Sequence, residues 1–243
     1  MLKGKDIKAP TRTPSLLVVL TAGSLIVALA LGARSTMGIF LDPVSDGLGL
    51  GTGSFALMVA VQNLIWGIGQ PIAGALADRF GTRRVLIIGA VIYSVGILVL
   101  ANATGPAGLH LGGGLLMGVG MAAASFSVVL AAIGRLVDES RRSFALGVAT
   151  AFGSVGQFVL IPVARILIDA TSWETALLLL AGLTALIAVF CAPLRNPSNG
   201  DENIETRTSD VESLREVFYR ATRNRSYLLL NAGFFVCGFH VTF

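Results

Sequence analysis

Gly74-Ala-Leu-Ala-Asp78-Arg79-Phe-Gly81-Thr-Arg83-Arg84 is a short charged segment set between two long apolar segments. It holds one carboxylate, Asp78, which we expect to be buried, and three guanidinium groups. Its glycines allow the chain to reverse direction within a few residues. Basic residues collect in short connectors on one side of a membrane. The segment therefore predicts a turn between two membrane-spanning helices.

The composition is that of a membrane protein. Hydrophobic residues make up 54% of the 243 residues and charged residues only 13%, and the mean hydropathy is +0.78. The basic residues lie in short connectors and do not form one patch, which argues against nucleic-acid binding. Cys191 and Cys237 lie inside apolar runs at a spacing that matches no metal or redox motif. We predict no cofactor, no metal site and no nucleic-acid partner.

Six apolar runs approach or exceed the roughly 20 residues that a spanning helix needs. They cover 16–41, 54–77, 85–102, 107–133, 144–168 and 173–194, and a seventh run begins near Tyr227 and reaches the last residue, Phe243. We therefore predict an all-α membrane fold with four parts. These are a cytoplasmic tail at 1–15, a six-helix bundle at 16–194, a central cytoplasmic loop at 195–226 and an incomplete seventh helix at 227–243.

The first run has an alternative interpretation. Basic residues precede it and Ala28-Leu-Ala30 resembles a signal-peptide cleavage site. The run continues to Leu41, so a retained helix is the simpler account. In the loop, Val211, Leu214, Val217 and Phe218 predict a short interfacial amphipathic helix, whereas 196–209 are equally consistent with an unstructured linker.

The distribution of basic residues predicts the orientation. Sixteen of the 18 Lys and Arg residues fall in the tail, the turn at 78–84, the connector at 134–143 and the segment after the sixth run. The opposite connectors hold acidic residues and no Lys or Arg. The positive-inside rule therefore places both ends of the six-helix unit in the cytoplasm.

The two remaining basic residues, Arg34 and Arg165, fall inside predicted spans. A guanidinium there must reach the headgroups, find a partner or face a wet cavity. Arg165 lies only four residues before Asp169, so snorkelling to the headgroups is easy for it. Arg34 lies deeper, and its fork of donors suits a carboxylate. We expect Arg34 to face a central cavity and to bind an anionic substrate group, with snorkelling as the alternative.

Polar residues at helical spacing indicate what lines this cavity. One stripe on the second run contains Gln62, Asn63, Trp66 and Gln70, and one on the fifth contains Thr150, Ser154, Gln157 and Arg165. At 100° per residue, each stripe spans an arc of about 80–100°. Their alternative role is to hold helices together by hydrogen bonds. The candidate substrate-binding residues are Arg34, Gln62, Asn63, Trp66, Gln157 and Arg165.

His240 lies inside the seventh apolar run. An imidazole in a membrane titrates near neutral pH, so His240 is a candidate for coupling proton movement to substrate movement. An interhelical hydrogen bond is the alternative role.

The segment Gly74-x-Leu76-Ala77-Asp78-Arg79-x-Gly81-x-Arg83-Arg84 resembles the signature turn between helices two and three of the major facilitator superfamily. The resemblance implies two six-helix bundles with a site between them near the membrane midplane. It also implies that the acidic residue of the turn latches one conformation by pairing with nearby cations, and Arg135 and Arg141-Arg142 are candidate partners across the turn. The implied latch consists of Gly74, Asp78, Arg79, Gly81, Arg83, Arg84 and Arg135.

A narrower resemblance rests on the fifth run and its neighbours. Residues 141–156, Pro162, Trp173 and the stretch 234–240 are similar to monocarboxylate transporter relatives, in particular to bacterial carriers of the oxalate/formate type. This implies a secondary active transporter, not an enzyme, that moves a small organic anion, either a monocarboxylate or a dicarboxylate. The partners implied are the lipid bilayer and a missing carboxy-terminal six-helix half.

Three alternatives remain open at this point. One is a carrier of the same superfamily with a different solute. Another is a truncated or half-size protein without independent transport. The third is a membrane enzyme, which predicts catalytic His, Asp or Ser residues clustered at one depth, and the sequence contains no such set.

Overall fold

The computed structural model describes residues 15–194, 219 and 222–242, and all regular structure in that part of the chain is helical. Six helical spans are long and apolar enough to cross a membrane. We label them in chain order: α1 Leu16–Gly47, α2 Thr52–Phe80, α3 Thr82–Ala101, α4 Pro106–Leu136, α5 Glu139–Ala170 and α6 Trp173–Phe190. The predicted all-α membrane fold is confirmed.

A seventh helix, α7, covers Arg225–Thr242. It belongs to a separate compact unit, Gly200–Phe243, whereas the six spans belong to the unit Met1–Asn199. Residues 1–14 of the predicted tail at 1–15, and the predicted amphipathic helix at 211–218, lie outside the described residues.

Span α1 is longer than its apolar run because it changes helix type and continues. The α-helix Leu16–Ser35 passes into a 3-10 helix at Thr36–Phe40 and then into a second α-helix, Leu41–Gly47. The 3-10 segment begins two residues after Arg34, and the Thr36 hydroxyl donates to the Ala33 carbonyl at 2.8 Å. Arg34 therefore lies at the end of a regular helix, inside the bundle.

Span α4 is the least regular of the six. After a first short turn it contains a π-helix at Leu109–Leu116, an α-helix at Met117–Ala123 and a second α-helix at Phe126–Leu136. Ser125 has extended backbone, with ψ at 152°, and its hydroxyl accepts from the Val128 amide to cap the second helix. The helical hydrogen-bond ladder is thus interrupted at residues 124–125.

Glycines set the closest helix approaches. A Cβ on Gly32 of α1 would lie 2.7 Å from the Gly156 carbonyl oxygen of α5, and a Cβ on Gly156 would overlap the Ala28 carbonyl. Between α3 and α4, a Cβ on Gly96 would lie 2.7 Å from the Met117 amide nitrogen. In a membrane the hydrophobic effect does not drive helices together, so they associate by close packing. Small residues allow the backbones to approach closely enough for this.

The spans differ in how much of them is covered. The most apolar windows of α3 and α4 are 56% and 61% buried, whereas those of α2 and α5 are 17% and 22% buried. The buried side chains form two apolar clusters, one around Phe40 and Tyr93 and the other around Ile26 and Leu86. Spans α2 and α5 therefore present broad uncovered faces.

Candidate functional site

The candidate site is built around Arg34, whose side chain is half-buried between α1 and α2. Its Nη2 donates to the Oδ1 of Asn63 at 3.1 Å, and its Cζ lies 4.5 Å from the ring centroid of Trp66. Asn63 uses its own Nδ2 to donate to the Val59 carbonyl at 3.0 Å, so its acceptor oxygen is the atom presented to Arg34. The structure thus brings together three of the six predicted substrate-binding residues.

The contacts of Arg34 leave its charge without a counter-ion. Asn63 and Trp66 are neutral, and none of the carboxylates in the described ranges forms an ion pair with Arg34. The Nε of Arg34 is buried and has no hydrogen-bond partner there either. A partly desolvated guanidinium with neutral neighbours attracts an anion strongly, because little of its charge is compensated.

Gln62 does not join this group. Its side chain is 2% exposed, and its Nε2 donates to the Gly113 carbonyl at 3.0 Å in the π-helical part of α4. Gln62 therefore links α2 to α4 in the way that the alternative interpretation of the polar stripe describes. A role in substrate binding remains a prediction for this residue.

The two predicted site residues of α5 lie apart from each other. Gln157 is half-buried and follows Gly156, which packs against α1 about two helical turns before Arg34. Arg165 is exposed and donates from Nε to Asp169 Oδ2 at 3.0 Å, with both side chains more than half exposed. Arg165 therefore already has a carboxylate partner on its own helix.

The turn between α2 and α3 contains an ion pair with α4. Arg135 Nη1 lies 2.6 Å from Asp78 Oδ1, and Arg135 Nη2 donates to Thr82 Oγ1 at 2.9 Å. Gly81 has φ of 92° and ψ of 134°, a conformation that L side chains rarely adopt, so glycine is required at this position. The arrangement joins the end of α2, the start of α3 and the last turn of α4.

Two expectations about this turn are wrong. The Asp78 side chain is 68% exposed instead of buried, since it lies in the last turn of α2 at the end of the bundle, where it contacts Arg135 of α4. The basic residues of the turn do not pair with it in the part of the chain that the structure describes. Arg79 stacks on the neighbouring Phe80 ring at 5.3 Å, and Arg83 has a buried Nε without a partner.

Sequence reasoning missed several polar groups near the site. The Ser127 hydroxyl donates to Gln70 Oε1 at 3.1 Å and contacts the Ser125 hydroxyl at 3.0 Å, which ties α2 to the interruption in α4. Tyr93 of α3 is fully buried, and its hydroxyl has no partner among the described residues. The sequence offered one indication of its importance. Tyr93 is the one tyrosine within the six spans, and its hydroxyl is a polar group in an apolar segment.

His240 lies in α7, but its side chain is outside the part of the structure that is described. Its predicted role in proton coupling stays a prediction. No cluster of three His, Cys, Asp or Glu residues suited to a metal ion occurs in the residues described.

Comparison with known proteins identifies the family of this chain. The family model for the Major Facilitator Superfamily matches residues 23–243. Monocarboxylate transporter 11 of Mus musculus is 30% identical over 193 residues, which are 79% of this chain and 42% of that protein. Monocarboxylate transporter 13 of Rattus norvegicus is 28% identical over 218 residues, which are 88% of this chain and 50% of that protein.

Monocarboxylate transporter 12 of Xenopus laevis is 34% identical over 127 residues, 52% of this chain and 27% of that protein. The chain thus spans half or less of the length of these curated relatives. The family match covers almost the whole chain, includes the turn at Asp78 and agrees with the six helical spans. The chain therefore belongs to the Major Facilitator Superfamily and resembles monocarboxylate carriers.

Proposed function

We propose that this chain is part of a secondary active transporter that moves a small organic anion across the cytoplasmic membrane by alternating access. The observation that carries the proposal is the Arg34 guanidinium, held inside the bundle by the neutral side chains of Asn63 and Trp66. An arginine within a membrane span costs several kcal/mol by most estimates unless it serves a site or finds a partner. An anionic substrate supplies the missing countercharge.

Charge matching favours a monocarboxylate over a dicarboxylate. Arg34 offers one positive charge, and the second intramembrane arginine, Arg165, is already paired with Asp169. A dianion bound at Arg34 would keep one charge uncompensated in a medium of low dielectric constant. The relatives are named monocarboxylate transporters, which supports the same substrate class.

The uncovered faces of α2 and α5 support the proposal that a second six-helix bundle completes the solute pathway. Large apolar side chains such as Leu64, Ile68 and Phe158 are more than 60% exposed. Gly67 and Gly74 on α2 have open space around them, so a further helix can approach closely. In this proposal the six described spans form one wall of the passage, and without the second wall they transport nothing.

The ion pair between Asp78 and Arg135 serves as the conformational latch in this scheme. It joins α2 to α4 in the conformation described and is exposed to water on one side. An exposed pair contributes only about 0–1 kcal/mol, which is small enough for thermal motion to open it. We further propose that this arginine-rich end of the bundle faces the cytoplasm.

Uptake assays in proteoliposomes test the site. We expect Arg34→Gln in the complete gene product to abolish uptake of a radiolabelled monocarboxylate, and Arg34→Lys to keep a part of it because the charge remains. Arg165→Gln is the matched control, since it removes an exposed arginine of another span, and we expect it to retain most uptake. Unchanged uptake by Arg34→Gln would remove Arg34 from the mechanism and favour a carrier of an uncharged solute.

A further inference from the structure

Five buried side-chain polar atoms in the described part of the bundle have no hydrogen-bond partner, and two of them bear on the Arg34 site. One is the hydroxyl of Tyr93, whose side chain is 0% exposed, and the other is the Nε of Arg34. Leaving a buried donor or acceptor unpaired costs about 1–3 kcal/mol, and buried polar groups in folded proteins are nearly always paired. Each atom therefore requires a partner.

The packing places Tyr93 and the part of α1 that carries Arg34 in the same part of the core. Gly120 of α4 lies directly against the backbone of Tyr93, where a Cβ would overlap the Tyr93 amide. The Tyr93 ring belongs to the same buried cluster as Ala33 and Met37, which precede and follow Arg34 on α1. The hydroxyl and the Nε are thus candidates to share one partner.

The other parts of the Arg34 guanidinium are already engaged. Asn63 accepts from Nη2, and the Trp66 ring covers one face. The Nε is turned inward, where its surface is closed to solvent. Nη1 is the nitrogen that remains to bind a ligand. The orientation of the guanidinium therefore decides whether Nη1 points toward a bound substrate.

We propose that Tyr93 is a positioning residue for the anion site, acting through one buried water molecule that bridges its hydroxyl and the Nε of Arg34. The Nε has a single proton to donate, which the water accepts, and the phenol both donates and accepts, so one water satisfies both groups. Together with Asn63 and Trp66, this bridge holds the Nη1 edge toward the substrate. The inference rests on the proposed function, because it concerns the same site.

Removal of the hydroxyl affects binding more than turnover. Without the bridge, the guanidinium turns more freely about its last torsion angles and loses preorganisation. A residue that only orients a binding group contributes to the substrate-bound state and the transition state alike, so its loss raises KM and leaves the maximal rate nearly unchanged. For one net hydrogen bond we expect KM to rise about two- to tenfold.

Tyr93→Phe tests this directly, because it removes one oxygen and keeps the ring. The complete gene product is reconstituted in proteoliposomes, and KM and the maximal rate are measured for whichever radiolabelled monocarboxylate of two to six carbons it takes up best. The neighbouring Ser94→Ala is the matched control. Ser94 is buried on the same helix, and its hydroxyl donates to the Ala181 carbonyl of α6 at 2.6 Å, so its loss should lower thermal stability without changing KM.

A double-mutant cycle distinguishes positioning from general packing. Lysine at position 34 keeps the charge but has no Nε donor, so in the Arg34→Lys background we expect Tyr93→Phe to have no further effect on KM. Equal increases of KM in both backgrounds, or an unchanged KM in the single variant, would overturn the proposal. Because KM does not depend on the amount of folded protein, a lower yield of the variant does not hide either result.

The same experiment separates this inference from the proposed function. If none of the monocarboxylates enters the proteoliposomes, or if Arg34→Gln retains full uptake, the anion site itself is wrong. If Arg34→Gln abolishes uptake while Tyr93→Phe behaves like the wild type, the anion site stands and only the role of Tyr93 fails.

Discussion

Arg135 contacts Asp78 and Thr82 at the same time, through its two terminal nitrogens, at 2.6 Å and 2.9 Å. The two partners lie on either side of Gly81, so one side chain of α4 fixes both ends of the turn between α2 and α3. The fork of the guanidinium makes this possible, whereas a lysine at position 135 would reach one partner at a time. One residue of α4 thus contacts both α2 and α3 at the turn.

Asp78→Asn tests the role of this contact. An exposed ion pair contributes about 0–1 kcal/mol, so we expect the thermal midpoint of unfolding to change by only a few degrees. Transport, in contrast, should fall about tenfold or more if the pair holds one state of the transport cycle. Glu139→Gln, which removes an exposed carboxylate at the start of α5, is the control and should leave uptake near the wild-type value. Equal losses in both variants would indicate a general effect of charge.

Gly81→Ala probes the strained backbone of the turn. The φ of 92° disfavours any Cβ, and we expect a loss of about 1–3 kcal/mol in folding stability, read from the thermal midpoint in detergent. Gly53→Ala is the control, because a Cβ there meets nothing within 4 Å. Equal stability of the two variants would show that residues 80–82 relax without cost.

Gly156→Ala probes the crossing of α1 and α5. A Cβ on Gly156 overlaps the Ala28 carbonyl, which is backbone and does not move without shifting a helix. We expect a destabilisation of about 1–3 kcal/mol, as for overpacked cores, measured as a lower thermal midpoint and a lower yield of monodisperse protein. Gly182→Ala on α6 has open space around its Cβ and should behave as the wild type.

Gln62→Leu decides between the two roles of that residue. If its hydrogen bond to Gly113 is structural, we expect a loss of about 0.6–1.7 kcal/mol in stability with no change in the KM of transport. Asn63→Leu is the comparison, because Asn63 contacts Arg34 and should raise KM instead. A higher KM in Gln62→Leu would show instead that Gln62 takes part in substrate binding.

Cysteine labelling tests the orientation of the bundle. Arg84→Cys and Asp46→Cys, made in a Cys237→Ser background, should react with a membrane-impermeant maleimide from opposite sides, Arg84→Cys from the cytoplasm. The native Cys191 does not interfere, since it is fully buried and its burial raises the pKa of the thiol to about 12, far above the pH of the assay. Labelling of both variants from one compartment would contradict the topology.

The sequence was sufficient for the number and type of helices, because runs of about 20 apolar residues have no other common use. It was less sufficient for their ends. The extension of α1 from Leu41 to Gly47 includes Asp42 and Pro43, which a hydropathy count excludes, although proline is tolerated in the first turn of a helix. Helix ends depend on backbone hydrogen bonds, which hydropathy does not report.

Helical spacing in the sequence predicted only part of the site. Helical spacing placed Asn63 and Trp66 on one stripe, and both contact Arg34. The same spacing placed Gln62 with them, yet Gln62 bonds to α4, because an arc of 100° is wide enough to face two different neighbours. Tyr93 was missed because its importance comes from burial between helices distant in sequence, which a single helix pattern does not reveal.

The interruption at Ser125 divides α4 into two rods joined by a single non-helical step. A continuous helix resists bending along its whole length, whereas a helix with interrupted backbone hydrogen bonds bends most easily at the interruption. The rod with Arg135 contacts Asp78 and Thr82, whereas the other rod receives the Gln62 hydrogen bond, so these contacts of α4 lie on opposite sides of the interruption. Ser127 and Gln70 join α2 and α4 directly beside this interruption, and on α2 Gln70 lies between Asp78 and the two residues that contact Arg34.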